Sequence, residues 1–160
     1  MATIHLTVGF MGFGKTTVAK RLEKEINGIR LTHDEFMVRL YGRNMPYEEF
    51  HQNYKKVDDM LWDMAEKIIN AKVDVIMDYG FWSHEDRKKA YERAKKITDD
   101  VVFDVINCDL AVAKQRLLQR SKDNPQELYI TENEFDELVK RYEPWSDEDK
   151  YPAVFYDTNG

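Results

Sequence analysis

One cysteine, Cys108, stands in 160 residues. No disulfide can form within the chain, so a cross-linked scaffold is excluded, and the lone thiol near a strand end suits a reducing cytosol. No apolar run approaches the roughly 20 residues that span a bilayer, which sets a membrane partner aside. The first apolar alternation starts so near Met1 that a charged leader followed by an apolar core has no room, and a cytoplasmic location is expected. Basic charge is scarce as well: 24 Lys and Arg against 30 Asp and Glu leave a net charge of −6 and a pI near 5.3. That balance disfavours a broad nucleic-acid footprint, though not a local basic groove. The four histidines, His5, His33, His51 and His84, lack metal-site spacing, so bound zinc is not expected. Repeats, linkers and low-complexity tracts are absent, and the acidic stretch from Glu143 to Asp149 reads as a solvated turn. At 42% hydrophobic residues the chain suits one domain over residues 1–160 with a sizeable core.

What is present is glycine in an unusual place. The stretch GFMGFGKTTV, Gly9 to Val18, follows an alternating run in which Ile4, Leu6 and Val8 read as a strand, and it precedes a helical pattern from Thr16 through Ile26. Gly9-x-x-x-x-Gly14-Lys15-Thr16 satisfies the phosphate-binding P-loop expression at every specified position. With glycine near 7% of ordinary sequence, a chance match in a chain this long is on the order of one in a hundred, and strand, loop and helix supply the context the motif requires. Gly12 and Gly14 free the backbone to turn successive N–H groups toward phosphate oxygens. The helix amino end adds partial positive charge, Lys15 reaches the β and γ phosphates, and the Thr16 hydroxyl is placed for magnesium. The nucleotide-binding set is accordingly Gly9, Gly12, Phe13, Gly14, Lys15, Thr16 and Thr17, joined further along the chain by Arg120. Nucleotide and Mg2+ are the expected cofactors.

Further along, Ile29 to Thr32 reads as a second strand running into HDEF, where Thr32 and Glu35 fit a capping box. Tyr47 to Ala71 carries Phe50, Tyr54, Val57, Leu61, Met64 and Ile68 at steps of four and three, a long amphipathic helix whose stripe is expected in the core. Val73 to Phe81 is a nearly continuous apolar run, as a strand buried on both faces would be. Ser83 with Asp86 should cap a helix to about Ile97, and Val101 to Asn107 is a further buried strand. Asp109 should open a helix to about Ser121, Thr131 with Glu134 one to about Tyr142, and Ala153 to Asp157 makes the last strand. Such alternation predicts an α/β three-layer P-loop NTPase fold: five parallel strands with helices on both faces and right-handed crossovers, in the manner of nucleoside kinases. Ligands then gather at the carboxyl ends of the strands.

The residues at those ends suggest phosphoryl transfer. Asp78, closing a hydrophobic strand, is a candidate for the metal and the acceptor region. Tyr79 follows it where many motor ATPases place a water-activating glutamate, which argues against simple hydrolysis. Asp34 lies just past the second strand and is placed to take the proton of an attacking hydroxyl. Arg39, one turn on, is placed to steady a polar or anionic acceptor. Arg116 and Arg120 share a helix face before a polar, proline-containing segment. A short lid around residues 116–131 would bring these guanidinium groups to the transferring phosphate. Catalytic roles therefore fall to Lys15, Asp34, Arg116 and Arg120.

With the P-loop, LTHDEF, VIMDYGFWSHEDR and KQRLLQRS together, the sequence resembles the small P-loop kinases of the AAA-type ATP-binding family. Polynucleotide 5′-hydroxyl kinases, chloramphenicol phosphotransferase and zeta-toxin-like kinases are relatives of that group. The resemblance implies ATP and magnesium, Asp34 as general base, Arg39 near the acceptor, Asp78 beside the metal and Arg120 as a lid arginine. It departs after Asp78, where YGFW replaces the Asp-Gly/Thr-Thr/Asn type of run seen in several relatives. A kinase acting on a hydroxyl of a small molecule is the leading expectation. A polynucleotide 5′-hydroxyl kinase would need a basic channel, for which Arg30, Arg39, Arg43, Lys55 and Lys56 are the available residues. A nucleotide-binding regulator without chemistry is the third reading. A GTPase switch is disfavoured because Asn-Lys-x-Asp is missing, and Asp157 to Gly160, the one Asp-x-x-Gly, lies far from where such a switch belongs. Acceptor identity and oligomeric state stay open at this stage.

Overall fold

Apolar segments too uniform to leave a face in water need cover on both sides, and a parallel sheet between helices provides it. The computed structural model describes residues 2–42, 45–123 and 130–159. Within them run the strands β1 (Ile4–Val8), β2 (Ile29–Thr32), β3 (Val75–Gly80), β4 (Val101–Asn107) and β5 (Ala153–Asp157). The helices are α1 (Lys15–Ile26), α2 (His33–Tyr41), α3 (Tyr47–Asn70), α4 (His84–Lys95), α5 (Leu110–Asp123) and α6 (Glu132–Val139). The strands form one sheet in the order β2-β3-β1-β4-β5 with every pairing parallel. The expected α/β fold, five parallel strands with helices on both faces, is the one observed.

Alternate residues divide the core between the two faces. Ile4, Leu6 and Val8 of β1 join Val75, Met77, Phe103 and Val105 in a cluster closed by Leu61 and Ala65 of α3 and Ala90 and Ala94 of α4. A second cluster, with Phe10, Phe13, Val18 and Ile106, packs against Ala113 and Leu117 of α5 and Phe135 of α6. The α1 side of the sheet is unexpectedly polar. His5 Nδ1 lies 2.8 Å from Asp104 Oδ2, and the Tyr156 hydroxyl donates to Asp104 Oδ1 at 3.1 Å. Burial, with Asp104 beside it, pushes the Tyr156 hydroxyl up to about 12.

The capping pairs at Ser83 and Thr131 form as expected: each hydroxyl accepts the N–H three residues on, at 3.0 and 3.2 Å. The Thr32 box does not form, because Glu35 turns to the Arg30 guanidinium at 2.8 Å instead. The buried row of α3 is also shifted. Val57, Leu61, Ala65 and Ile69, at strict steps of four, are covered together with Trp62, while Tyr54 and Met64 of the expected stripe are about two-fifths exposed. The α4 and α6 helices end short of Ile97 and Tyr142.

The acidic stretch departs most from expectation. Asp149 is buried, and it receives Arg87 Nε at 3.0 Å and Arg87 Nη2 at 3.1 Å. Arg87 is itself fully enclosed and also donates to the carbonyls of Phe81 at 2.8 Å and Glu143 at 2.7 Å. A buried guanidinium must spend its donors on fixed acceptors, and here they tie α4 and residues 143–149 to the chain just past β3. Burial alone would raise the Asp149 carboxyl; the hydrogen bonds from Arg87, His84 and the Ser146 N–H, with the Arg87 charge, hold it below its ordinary value. A depressed folded-state value contributes stability above the unfolded value, near 4, that is lost as pH falls. Asp149→Ala should therefore cost about 3–5 kcal/mol at neutral pH. In urea titrations its deficit against the parent should narrow below pH 4, and an equal deficit at all pH would contradict this account.

Candidate active site

The P-loop takes its shape from where side chains are impossible. Gly14 caps α1 in a left-handed conformation with φ 88°. Gly12, at φ 79°, lies so close to α5 that a Cβ would stand 2.3 Å from the Ala113 carbonyl oxygen. Both are positions only glycine adopts without strain. At the end of β3, Gly80 has φ 118°, and a Cβ there would come within 2.9 Å of Lys15 Nζ. The lysine ammonium thus rests over the end of β3, and Gly80 is a site residue the sequence reading did not single out. The loop is fastened on its other flank by the Thr158 hydroxyl, which donates to the Phe13 carbonyl.

A cavity of about 750 Å³ opens along the carboxyl ends of the strands. Of the residues expected at the site, Gly12, Gly14, Lys15, Thr16, Asp34, Arg39, Asp78 and Arg120 line it. Gly9, Phe13 and Thr17 do not. Gly9 packs behind the loop, where a Cβ would meet the Ile106 carbonyl oxygen at 3.1 Å, and Phe13 belongs to the second core. Thr17 is exposed on α1. Arg116 is likewise drawn away: it donates to the Thr158 carbonyl at 2.5 Å and lies 3.6 Å from Cys108 Sγ. Part of the expected 116–131 lid, residues 124–129, lies outside the described residues, as does Arg43.

The floor is a buried charge cluster. Asp78 Oδ2 accepts from Arg30 Nη1 at 2.9 Å and Oδ1 from the Thr7 hydroxyl at 3.2 Å, while Arg30 Nη2 reaches Glu35 at 2.8 Å. Burial is the largest influence on the Asp78 carboxyl and carries it above its ordinary value, against the opposing charges of Lys15 and Arg30. Arg30, expected at most in an acceptor channel, is thus a structural cation shared by two acids. Lys55 and Lys56 line a separate surface depression with His51 and Asp59. Of the described channel candidates, then, Arg39 alone faces the cavity without such a commitment. Among the described residues no group of three or more His, Cys, Asp or Glu is arranged to cage a metal, and no helix is long and apolar enough to cross a membrane.

A cleft of backbone amides, a lysine and a hydroxyl at a helix start is arranged to hold a polyphosphate, and a carboxylate on the neighbouring strand's end gives it a second, basic side. The fold itself is shared with known proteins. The model of a family described as an AAA domain matches residues 4–145. Among solved structures, a candidate kinase from Chloroflexus aurantiacus superposes with TM-score 0.77 at 17% identity, covering 99% of this chain and 89% of that one. Kti12 from Chaetomium thermophilum, in complex with ADP-AlF3, gives 0.70 at 16%, covering 98% and 88%. A chain of the Pnkp1/Rnl/Hen1 RNA repair complex gives 0.71 at 15%, over 88% of this chain and 43% of its own length. No curated protein matches by sequence.

Removing one member of a buried pair is costlier than removing both. Arg30→Met should lower stability by about 3–5 kcal/mol by stranding Asp78, and Arg30→Met with Asp78→Asn should recover a measurable part of it in the same denaturant titration. A double variant no more stable than the single one would show that the pair is not the source of the loss.

Proposed function

This chain belongs to the AAA-domain family, and from that premise we propose that it is an ATP-dependent kinase moving the γ phosphate of ATP to a hydroxyl of a small molecule, in the cytoplasm. The observation that carries the reading is the placement of Asp34 in the same cavity as Lys15, Thr16 and the P-loop glycines. A carboxylate exposed at the amino end of α2 faces ligand space, where a base for an incoming hydroxyl is needed.

In the reaction this implies, Asp34 accepts the hydroxyl proton as the oxygen bonds to the γ phosphorus. The bond from that phosphorus to the β–γ bridging oxygen breaks, and ADP leaves with the electron pair. Lys15 and Arg120 offset the charge on the phosphoryl oxygens, so that positioning and electrostatics supply most of the rate. Magnesium, when bound, would neutralise phosphate charge. It takes few protein ligands and keeps waters and phosphate oxygens for the rest, so Thr16 and Asp78, both facing the cavity, suit it without a protein cage.

Transfer of labelled γ phosphate across nucleosides, sugars, antibiotics and 5′-hydroxyl oligonucleotides is the deciding assay. Lys15→Ala should abolish nucleotide-dependent activity. Asp34→Asn should bind ATP with parental affinity in a titration and lose about 10²- to 10⁴-fold in kcat, the range for a general base. Parental turnover by Asp34→Asn would refute the assigned base, and tight ATP binding with no transfer and no slow hydrolysis would favour a regulator.

A further inference from the structure

The cavity has two ends, set by the strand order. The β4 side contributes Leu117, Arg120 and Ile130, and the β2 side contributes Arg30, Thr32, Asp34, Glu35, Val38 and Arg39, with the P-loop between them. A phosphate chain on Lys15 leaves the β2 end, where Asp34 stands, for the acceptor. The helix α1 packs over β1, β3 and β2, which brings Lys20 into the wall of this half, about 7.5 Å along the helix from Lys15 at 1.5 Å per residue.

The charges at this end are not equivalent. Glu35 and Asp78 are both taken up by Arg30. Lys20 and Arg39 line the cavity, and neither has a hydrogen-bond or ion-pair partner among the described residues. Two cations with unused donors beside a proton-accepting carboxylate suit a ligand that brings a hydroxyl and an anion together. Without them, an anionic acceptor would be repelled by the triphosphate it must approach. Aromatic residues make up 12% of the chain, yet none lines the cavity among the described residues. A base read by stacking has no platform there.

We propose that the acceptor is a small polyhydroxy compound bearing an anionic group, a phosphate ester or a carboxylate, which Arg39 and Lys20 hold while Asp34 faces its hydroxyl. This deepens the kinase reading and rests on it. Arg39 supplies a fork matched to either oxyanion, and Lys20 a mobile point charge.

The test gives the full chain ATP with matched acceptors: glycerol, glycerol phosphate and glycerate, then a hexose, its 6-phosphate and the corresponding hexonate, with nucleosides and a 5′-hydroxyl oligonucleotide beside them. The expected result is a kcat/KM for an anionic member at least about tenfold above its neutral counterpart, the worth of one charge-assisted contact. The phosphate and carboxylate arms show which anion is meant. Arg39→Gln and Lys20→Gln should each shrink that ratio, mainly by raising KM for the anionic member. Neutral polyols, nucleosides or the oligonucleotide used as well or better would overturn the proposal while leaving a kinase in place. Transfer to none of them, with ATP bound, would remove the kinase reading and this one with it.

Discussion

A nearly buried carboxylate in the floor of the ligand cavity, Asp78, constrains everything built around it. It stands near the end of a strand flanked by two others and is almost wholly covered, so most of its charge is answered from within. Arg30 does so from β2, Thr7 from β1 and the ammonium of Lys15 from the start of α1. Beyond the strand ladders that join β1 and β2 to β3, one acid thus ties β1, β2 and the start of α1 together. Glu35 is drawn into the same cluster, which fixes the first turn of α2 and with it the direction of Asp34. The price is that Arg30, its side chain only 9% exposed and bound to two acids, is unavailable to a ligand.

Some of this was legible in the sequence because it is local. The P-loop is a run of eight residues whose conformation follows from its own glycines, and alternation or continuity of apolar residues marked the five strands. The caps at Ser83 and Thr131 span three residues each. What the sequence did not disclose is long-range. Arg87 and Asp149 lie 62 positions apart, so an acidic stretch that is polar by composition read as solvated although one of its members is buried. Thr32 and Glu35 met the capping pattern, but Arg30, whose position depends on β3, was the stronger partner. In α3 two rows of apolar residues overlap, and only the approach of the sheet selects Val57, Leu61, Ala65 and Ile69 over the row through Met64.

The same limit applies to the site. Lys15, Thr16 and Asp34 share a cavity as their strand-end positions implied. Arg116 and Arg120 are equivalent on a helical wheel, yet one turns to the Thr158 carbonyl and the other to the cavity, a distinction made by β5. Gly80 carries a second lesson: its φ of 118° is followed by a positive φ at Phe81, and the Phe81 carbonyl is the one Arg87 grips. The bend that lets the lysine lie over β3 is therefore stabilised from α4 and residues 143–149, a region outside the phosphate loop.

The bond from the Thr158 hydroxyl to the Phe13 carbonyl joins residues 145 positions apart and has a consequence for the order of events at the ribosome. Synthesis runs from the amino end and early segments begin to organise first, yet the loop, made well before β5, keeps an open flank until the fifth strand has emerged and docked. The nascent protein can collapse around β1, β3 and β4 well before this, but a loop closed on both sides, and with it tight hold of a nucleotide, arrives only once β5 and Thr158 have been made.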